Sequence, residues 1–304
     1  MGISSYAREA RVLAHLDRFL GAQRADLTAT TFAQWGASIA HLTPQVRRGW
    51  MRIVRALCLY RQRSEPGCFV PDPRGFPLPL PPVRPYLFTS ADIVRLLQAA
   101  DALRPGSGSP LRRPVFRLAL VLLHTAGLRR GELIRLTLGD YDPREGTLAI
   151  RATKFHKSRL VPLSGDAVRE MQTFLLARQQ LAHAVTAPLL CNGRQGVRPY
   201  TGAGLAQGLR KLFRAAGVKT AAGKPPRVHD LRHSFAHAAL RRWYDAGVDV
   251  QTRLPALAIY MGHVSIVSTQ YYLASFAPFA EAASARFAQH CDPFLGVGAV
   301  GGDR

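Results

Sequence analysis

Apolar residues recur three and four positions apart through most of this chain, the spacing that gathers them on one side of an α-helix. Up to residue 63 this holds for YAREARVLAHLDRFL, TFAQWGASIAHL and QVRRGWMRIVRALCLYR, and an all-helical first domain is predicted over residues 1–63. The pattern stops between Glu65 and Pro85. Pro66, Pro71, Pro73, Pro77, Pro79, Pro81, Pro82 and Pro85 fall there. Each removes a backbone N–H and fixes φ, so neither a helix nor a central strand can continue. An extended, semi-rigid connector of polyproline type is expected over residues 64–85.

Helical spacing resumes at TSADIVRLLQAADAL, where Thr89 and Asp92 have capping-box spacing. After a loop at RPGSGSP, the strongly apolar PVFRLALVLLHTA runs up to Gly127, and a short helix follows with Glu132, Leu133 and Leu136 on neighbouring turns. The period then changes. TLAIRAT and SRLVPL are predicted as two short strands joined around Phe155, His156 and Lys157. Helices are expected again over residues 166–181, 202–216, 229–244, 249–260 and 277–290, with a loose glycine-rich tail from Gly296. The fold class that follows is mainly α with a small β-hairpin, the second domain spanning residues 86–304.

Composition adds a partner. A chain of 304 residues that is 47% apolar has ample material for a core, and its formal charge of +22 points to a polyanion. No basic amphipathic helix stands apart from core-forming sequence, so nucleic acid is favoured over a membrane surface. Arg48, Arg52 and Arg55 share one face of the third predicted helix, away from most of Trp50, Ile53, Val54 and Leu57. Two basic domains on an extended tether would close on a DNA duplex from opposite sides. The positive charge is nearly all arginine, and of the five lysines Lys154 and Lys157 lie in the one hairpin. Lysine can release its proton where arginine cannot, which hints at a proton donor there. Cys58, Cys68, Cys191 and Cys291 show no CxxC spacing, and neither a signal peptide nor a membrane-spanning run is visible, so a cytoplasmic protein with reduced thiols is expected.

The candidate chemistry lies in three stretches. In HDLRHSF, His229 and Arg232 project from one face at the start of a helix, where free N–H groups already favour an anion. In TAGLRRGELIRL, Arg129 leaves a turn after Gly127. A guanidinium binds two nonbridging phosphate oxygens at once, and a pair of them can neutralise a pentavalent phosphorus transition state. In GHVSIVSTQYY, His263 is followed by Tyr271 and Tyr272, which become usable nucleophiles only among cations, because a free phenol titrates at about 10. No GxSxG, HExxH or Walker A pattern supports a serine esterase, zincin or P-loop enzyme. His229, His233 and His237 recur at four-residue intervals, but no carboxylate or cysteine completes a metal-ligand set.

Taken together, GLRRGEL, TKFHKSRLVPL, HDLRHSFA and GHVSIVSTQYY resemble, in order and spacing, the four boxes of the tyrosine recombinase (phage integrase) family. The resemblance spans residues 86–290. It implies a tyrosine recombinase catalytic domain preceded by a helical, SAM-like core-binding domain, here shorter than the family's usual four helices. It implies Arg129 and Arg232 as the phosphate clamp, Lys154 as general acid to the departing 5'-oxygen, and His229 and His263 as hydrogen-bond partners of the phosphate. Tyr272 rather than Tyr271 is the implied nucleophile, Glu132 the supporting carboxylate and Lys157 a DNA-backbone contact. Implied with these are site-specific cutting and rejoining of double-stranded DNA, a homo-tetramer on two sites, a nucleoid location, and no metal or cofactor. Two rivals share the residue types: a type IB topoisomerase-like strand transferase, and a DNA-binding regulator without catalysis.

Overall fold

Helix α1 (Ala7–Gln23) ends where Arg24 turns left-handed at φ 48°. Thr28 and Thr31 then exchange side-chain and backbone hydrogen bonds that start α2 (Ala29–Ser38), and Pro44 occupies the first turn of α3 (Pro44–Arg61), where a missing N–H costs nothing. The computed structural model describes residues 6–79, 81, 83–106, 108–151, 158–181, 184–263 and 284. Within it the chain divides into two units, Met1–Val83 and Arg84–Arg304.

The first unit closes its core with a residue from outside its helices. Val12, Leu16, Trp35, Ile39, Met51, Val54 and Cys58 are joined there by Phe76, which is only 5% exposed. Part of the proline-rich stretch expected to act as a tether therefore packs on the helices. Arg48 and Arg55 hold it down, donating from Nη1 to the carbonyls of Pro77 and Pro71 respectively. The proline pattern forbids helix and strand, yet it leaves Phe69, Val70 and Phe76 free to bury apolar surface, which the backbone period alone does not reveal.

In the second unit α5 (Arg112–Thr125) is the central element. Val115, Phe116, Leu118, Ala119, Leu120, Leu122 and Leu123 are buried, so it packs on several sides, against α4 (Ser90–Asp101), α7 (Gly165–Arg178), α8 (Gly202–Ala215) and α9 (Asp230–Asp245). The expected capping box of α4 forms between Thr89 and Asp92. The expected hairpin is β2 (Thr147–Ile150) and β3 (Arg159–Pro162), paired antiparallel with Ile150 opposite Arg159. A two-residue strand, β1 (Tyr141–Asp142), extends it to three strands, and β4 (Cys191–Asn192) pairs with β5 (Arg198–Pro199) as a second small sheet. Strands of two residues carry no alternation to detect. Short α6 (Arg130–Leu133) follows α5, and α10 (Val250–Met261) packs on α9 through Leu240, Leu254, Leu257 and Met261. The helix expected over residues 277–290 lies, apart from Ser284, outside the described residues.

Candidate active site

The geometry starts from two glycines. Gly127 takes φ +59° just after α5, and a Cβ there would sit 2.4 Å from the Phe235 ring of α9. That close approach brings the Gly127 carbonyl to Arg232, which donates to it from Nη1. Leu128, fully buried, then pins the turn, and Arg129 emerges beside it with its side chain one-third exposed. Gly262 takes φ +66° and ends α10, where the His263 N–H returns to the Ala258 carbonyl at 2.8 Å.

The end of α10 gathers three arginines. Arg159 Nε donates to the Tyr260 carbonyl at 2.7 Å, Arg232 Nη2 to Met261 at 2.7 Å, and Arg129 Nη2 to Gly262 at 2.7 Å. These are carbonyls that the helix itself cannot satisfy, at the negative end of its dipole, which is where cations are stabilised. Phe235 stacks on Tyr260 with centroids 5.4 Å apart, keying α9 to the same end. Arg232 is 1% exposed, more deeply set than its place near a helix start suggests.

Glu132 organises Arg129. It is 3% exposed, and accepts the Arg129 backbone N–H at 2.9 Å and Arg129 Nη1 at 2.8 Å. Burial alone would raise its pKa, but hydrogen bonds and charge from Arg159 and Arg129 outweigh burial and hold the carboxyl down at about 2. Glu132 is ionised at every working pH.

His229 precedes α9 directly and keeps an exposed surface, while His263 follows Gly262 and is half-buried. Enclosure by protein and then the Arg232 guanidinium push both imidazoles down to about 4. Arg129 depresses both as well, and His229 depresses His263, so the four groups share one electrostatic neighbourhood. Both rings are neutral near pH 7, each with one N–H to donate. His233, a turn beyond His229 with ring centroids 4.8 Å apart, is lowered to about 4 by burial and then by His229. Among the described residues no group of three histidine, cysteine, aspartate or glutamate side chains could hold a metal ion.

Residues 87–277 match the model of the phage integrase family. The chain belongs to that family. Among its relatives is a putative integrase/recombinase, y4rB, of Sinorhizobium fredii, 38% identical over 225 residues that make up 72% of this chain and 71% of the relative. Tyrosine recombinase XerD of Rhizobium meliloti is 29% identical over 279 residues, 89% of this chain and 83% of that one. Among solved structures, the Tn1549 transposon integrase in complex with transposon right-end DNA superposes with a TM-score of 0.66 at 18% identity, covering 94% of this chain and 95% of that one. XerH recombinase bound to difH substrate gives a TM-score of 0.62 at 18% identity over 89% and 76%. At these identities the structures speak for the fold, and the fold is that of the tyrosine recombinases.

In this phage integrase family member Arg129, Glu132, His229, Arg232 and His263 come together from three stretches of the sequence. Lys154, Lys157, Tyr271 and Tyr272 lie outside the described residues. Arg52 is exposed on α3, whereas Arg48 and Arg55 each spend a donor on the proline stretch, so Arg52 is the most open of the three arginines expected to face phosphate. Arg159 was not singled out by the sequence. It stands in the lysine hairpin box, but its spacing gives no sign that it reaches Glu132 and α10.

Proposed function

We propose that this tyrosine recombinase cuts and rejoins double-stranded DNA at specific sites through a 3'-phosphotyrosyl intermediate. The observation that carries the reading is the convergence of Arg129 and Arg232 on the end of α10 beside two neutral imidazoles, a cationic, donor-rich setting matched to a phosphodiester. The two guanidiniums bind the nonbridging oxygens, and His229 and His263 donate to the same phosphate. The Tyr272 oxygen attacks phosphorus, and the bond to the 5'-oxygen breaks as Lys154 protonates that oxygen. A 5'-hydroxyl of the partner duplex then attacks the phosphotyrosine and the phenol leaves. One phosphodiester replaces another, so no nucleotide hydrolysis is needed.

In this reading the first unit is a core-binding domain whose Arg52 meets DNA phosphate, with Arg48 and Arg55 serving partly to shape the unit, and Lys157 contacts the backbone. The active assembly is a homo-tetramer on two sites at the nucleoid. No described helix is long and apolar enough to cross a membrane. The test is a nicked suicide duplex carrying a target site. A covalent protein–DNA adduct that survives denaturation should form in EDTA, vanish in Tyr272→Phe and persist in Tyr271→Phe. An adduct that persists in Tyr272→Phe removes that residue from the chemistry.

A further inference from the structure

The cationic residues of the site outnumber its anions, and one arginine has no assigned part. Arg159 opens β3 with its side chain 10% exposed, and all three of its nitrogens are engaged. Nη1 and Nη2 donate to the two oxygens of Glu132 at 3.1 and 2.9 Å, and Nε donates to the Tyr260 carbonyl at 2.7 Å. Oε1 of Glu132 is thereby shared, taking Nη1 of Arg159 and, at 2.8 Å, Nη1 of Arg129. One carboxylate serves two guanidiniums.

That sharing has an electrostatic consequence. Were Glu132 bonded to Arg129 alone, its charge would offset the arginine that must meet phosphate. Arg159 takes the carboxylate in a forked, two-point ion pair, the stronger geometry, and leaves Arg129 oriented by Glu132 but not neutralised by it. The backbone of Arg159 pairs across the sheet with Ile150, at the two strand ends between which the Lys154 segment runs, so the side chain links the base of the hairpin to Glu132 and α10. It also crowds the residue that ends α10, since a Cβ on Gly262 would lie 2.6 Å from Nη1 of Arg159.

We propose that Arg159 is a positioning residue for strand cleavage, holding Glu132 in a shared ion pair so that Arg129 keeps its positive charge for the scissile phosphate. The inference rests on the recombinase reading above. It differs from an ordinary structural role in one respect: its contribution scales with the negative charge of the phosphate.

The test is single-turnover cleavage by the full chain on two suicide duplexes, one with a normal scissile phosphodiester and one with a methylphosphonate, which lacks an anionic nonbridging oxygen. Arg159→Met should slow phosphodiester cleavage by roughly a hundredfold. The deficit should shrink on the methylphosphonate, and Arg159→Lys, which keeps the charge, should recover most of the phosphodiester rate. Arg159→Gln provides a second neutral variant should the methionine variant fail to fold. A neutral variant slowed by the same factor on both substrates, or not slowed at all, overturns the proposal. Failure of the unsubstituted chain to form any adduct strikes instead at the recombinase reading.

Discussion

Arg232 and Met261 are joined by a hydrogen bond from Nη2 to the main-chain carbonyl at 2.7 Å, so a guanidinium of α9 is held by the last turn of α10. The neighbouring carbonyls of Tyr260 and Gly262 hold Arg159 and Arg129 in the same manner. Orientation of three cations thus depends on how one helix ends, and the helix ends as it does because residue 262 is a glycine in the left-handed region.

Gly262→Ala should therefore damage the site more than the fold. A side chain at φ +66° costs roughly 1–3 kcal/mol, and its Cβ would meet Arg159 Nη1 at 2.6 Å and Arg129 Nη1 at 3.4 Å. The expected outcome is a chain that still folds, with a modestly lower melting temperature, and that forms covalent adduct at least a hundredfold more slowly. The ratio of these two effects is the measurement. An alanine variant that cleaves at the normal rate would show that the α10 terminus does not set the arginines.

Much of this was legible in the sequence, and the limits have physical causes. Gly127, Arg129, His229 and Arg232 stand at helix boundaries, where glycine and the start of an apolar period mark the position of the turn. Arg159 stands in a strand, and its partners Glu132 and Tyr260 are reached only by packing β3 against α10, which no local period encodes. The depth of Arg232 likewise comes from α5 and α10, not from its own helix. In the first unit the arginine face of α3 was visible, but the carbonyls of Pro71 and Pro77 that occupy two of its members were not.

Acid should expose the Glu132 cluster. A carboxyl whose folded pKa is about 2 against 4.5 when unfolded is protonated more readily in the unfolded chain. Its stabilisation, of order 3 kcal/mol, is therefore complete above pH 4.5 and lost as the pH falls toward 2. His229, His233 and His263, lowered from 6.5 to about 4, act in the same direction over an earlier window, so stability should begin to fall below pH 6.5. Glu132→Gln should be less stable than the unsubstituted chain at pH 7. In urea titrations the gap should stay constant to pH 5 and narrow below 4.5. A gap that persists unchanged at pH 3 would mean that the carboxylate charge is not what stabilises the cluster.

Lys154 is assigned the proton for the departing oxygen, and that role has a chemical signature. A 5'-thiolate leaves without protonation, so Lys154→Ala should cleave a normal suicide duplex slowly and a 5'-bridging phosphorothiolate at close to the unsubstituted rate. Arg129→Ala, whose loss concerns the nonbridging oxygens, should show no such recovery. Equal deficits of the lysine variant on both substrates would remove Lys154 from the acid role.

The proline-rich stretch offers two residues that look alike in composition and differ in consequence. Phe76 is 5% exposed in the core formed by α1, α2 and α3, and packs near Phe32 with ring centroids 6.2 Å apart, whereas Leu78 is 83% exposed. Removing a buried phenyl ring forfeits both its transfer from water and the contacts around the cavity it leaves, so Phe76→Ala should cost roughly 3–5 kcal/mol. Leu78→Ala should stay within about 0.5 kcal/mol of zero. Of the three tryptophans in the chain, Trp35 and Trp50 belong to this unit, so Trp243→Phe leaves fluorescence reporting on it alone. Urea unfolding of the full chain in that background measures both changes. If the two substitutions prove equally mild, the segment around Phe76 acts as a tether after all, and Arg48 and Arg55 are released to meet DNA with Arg52.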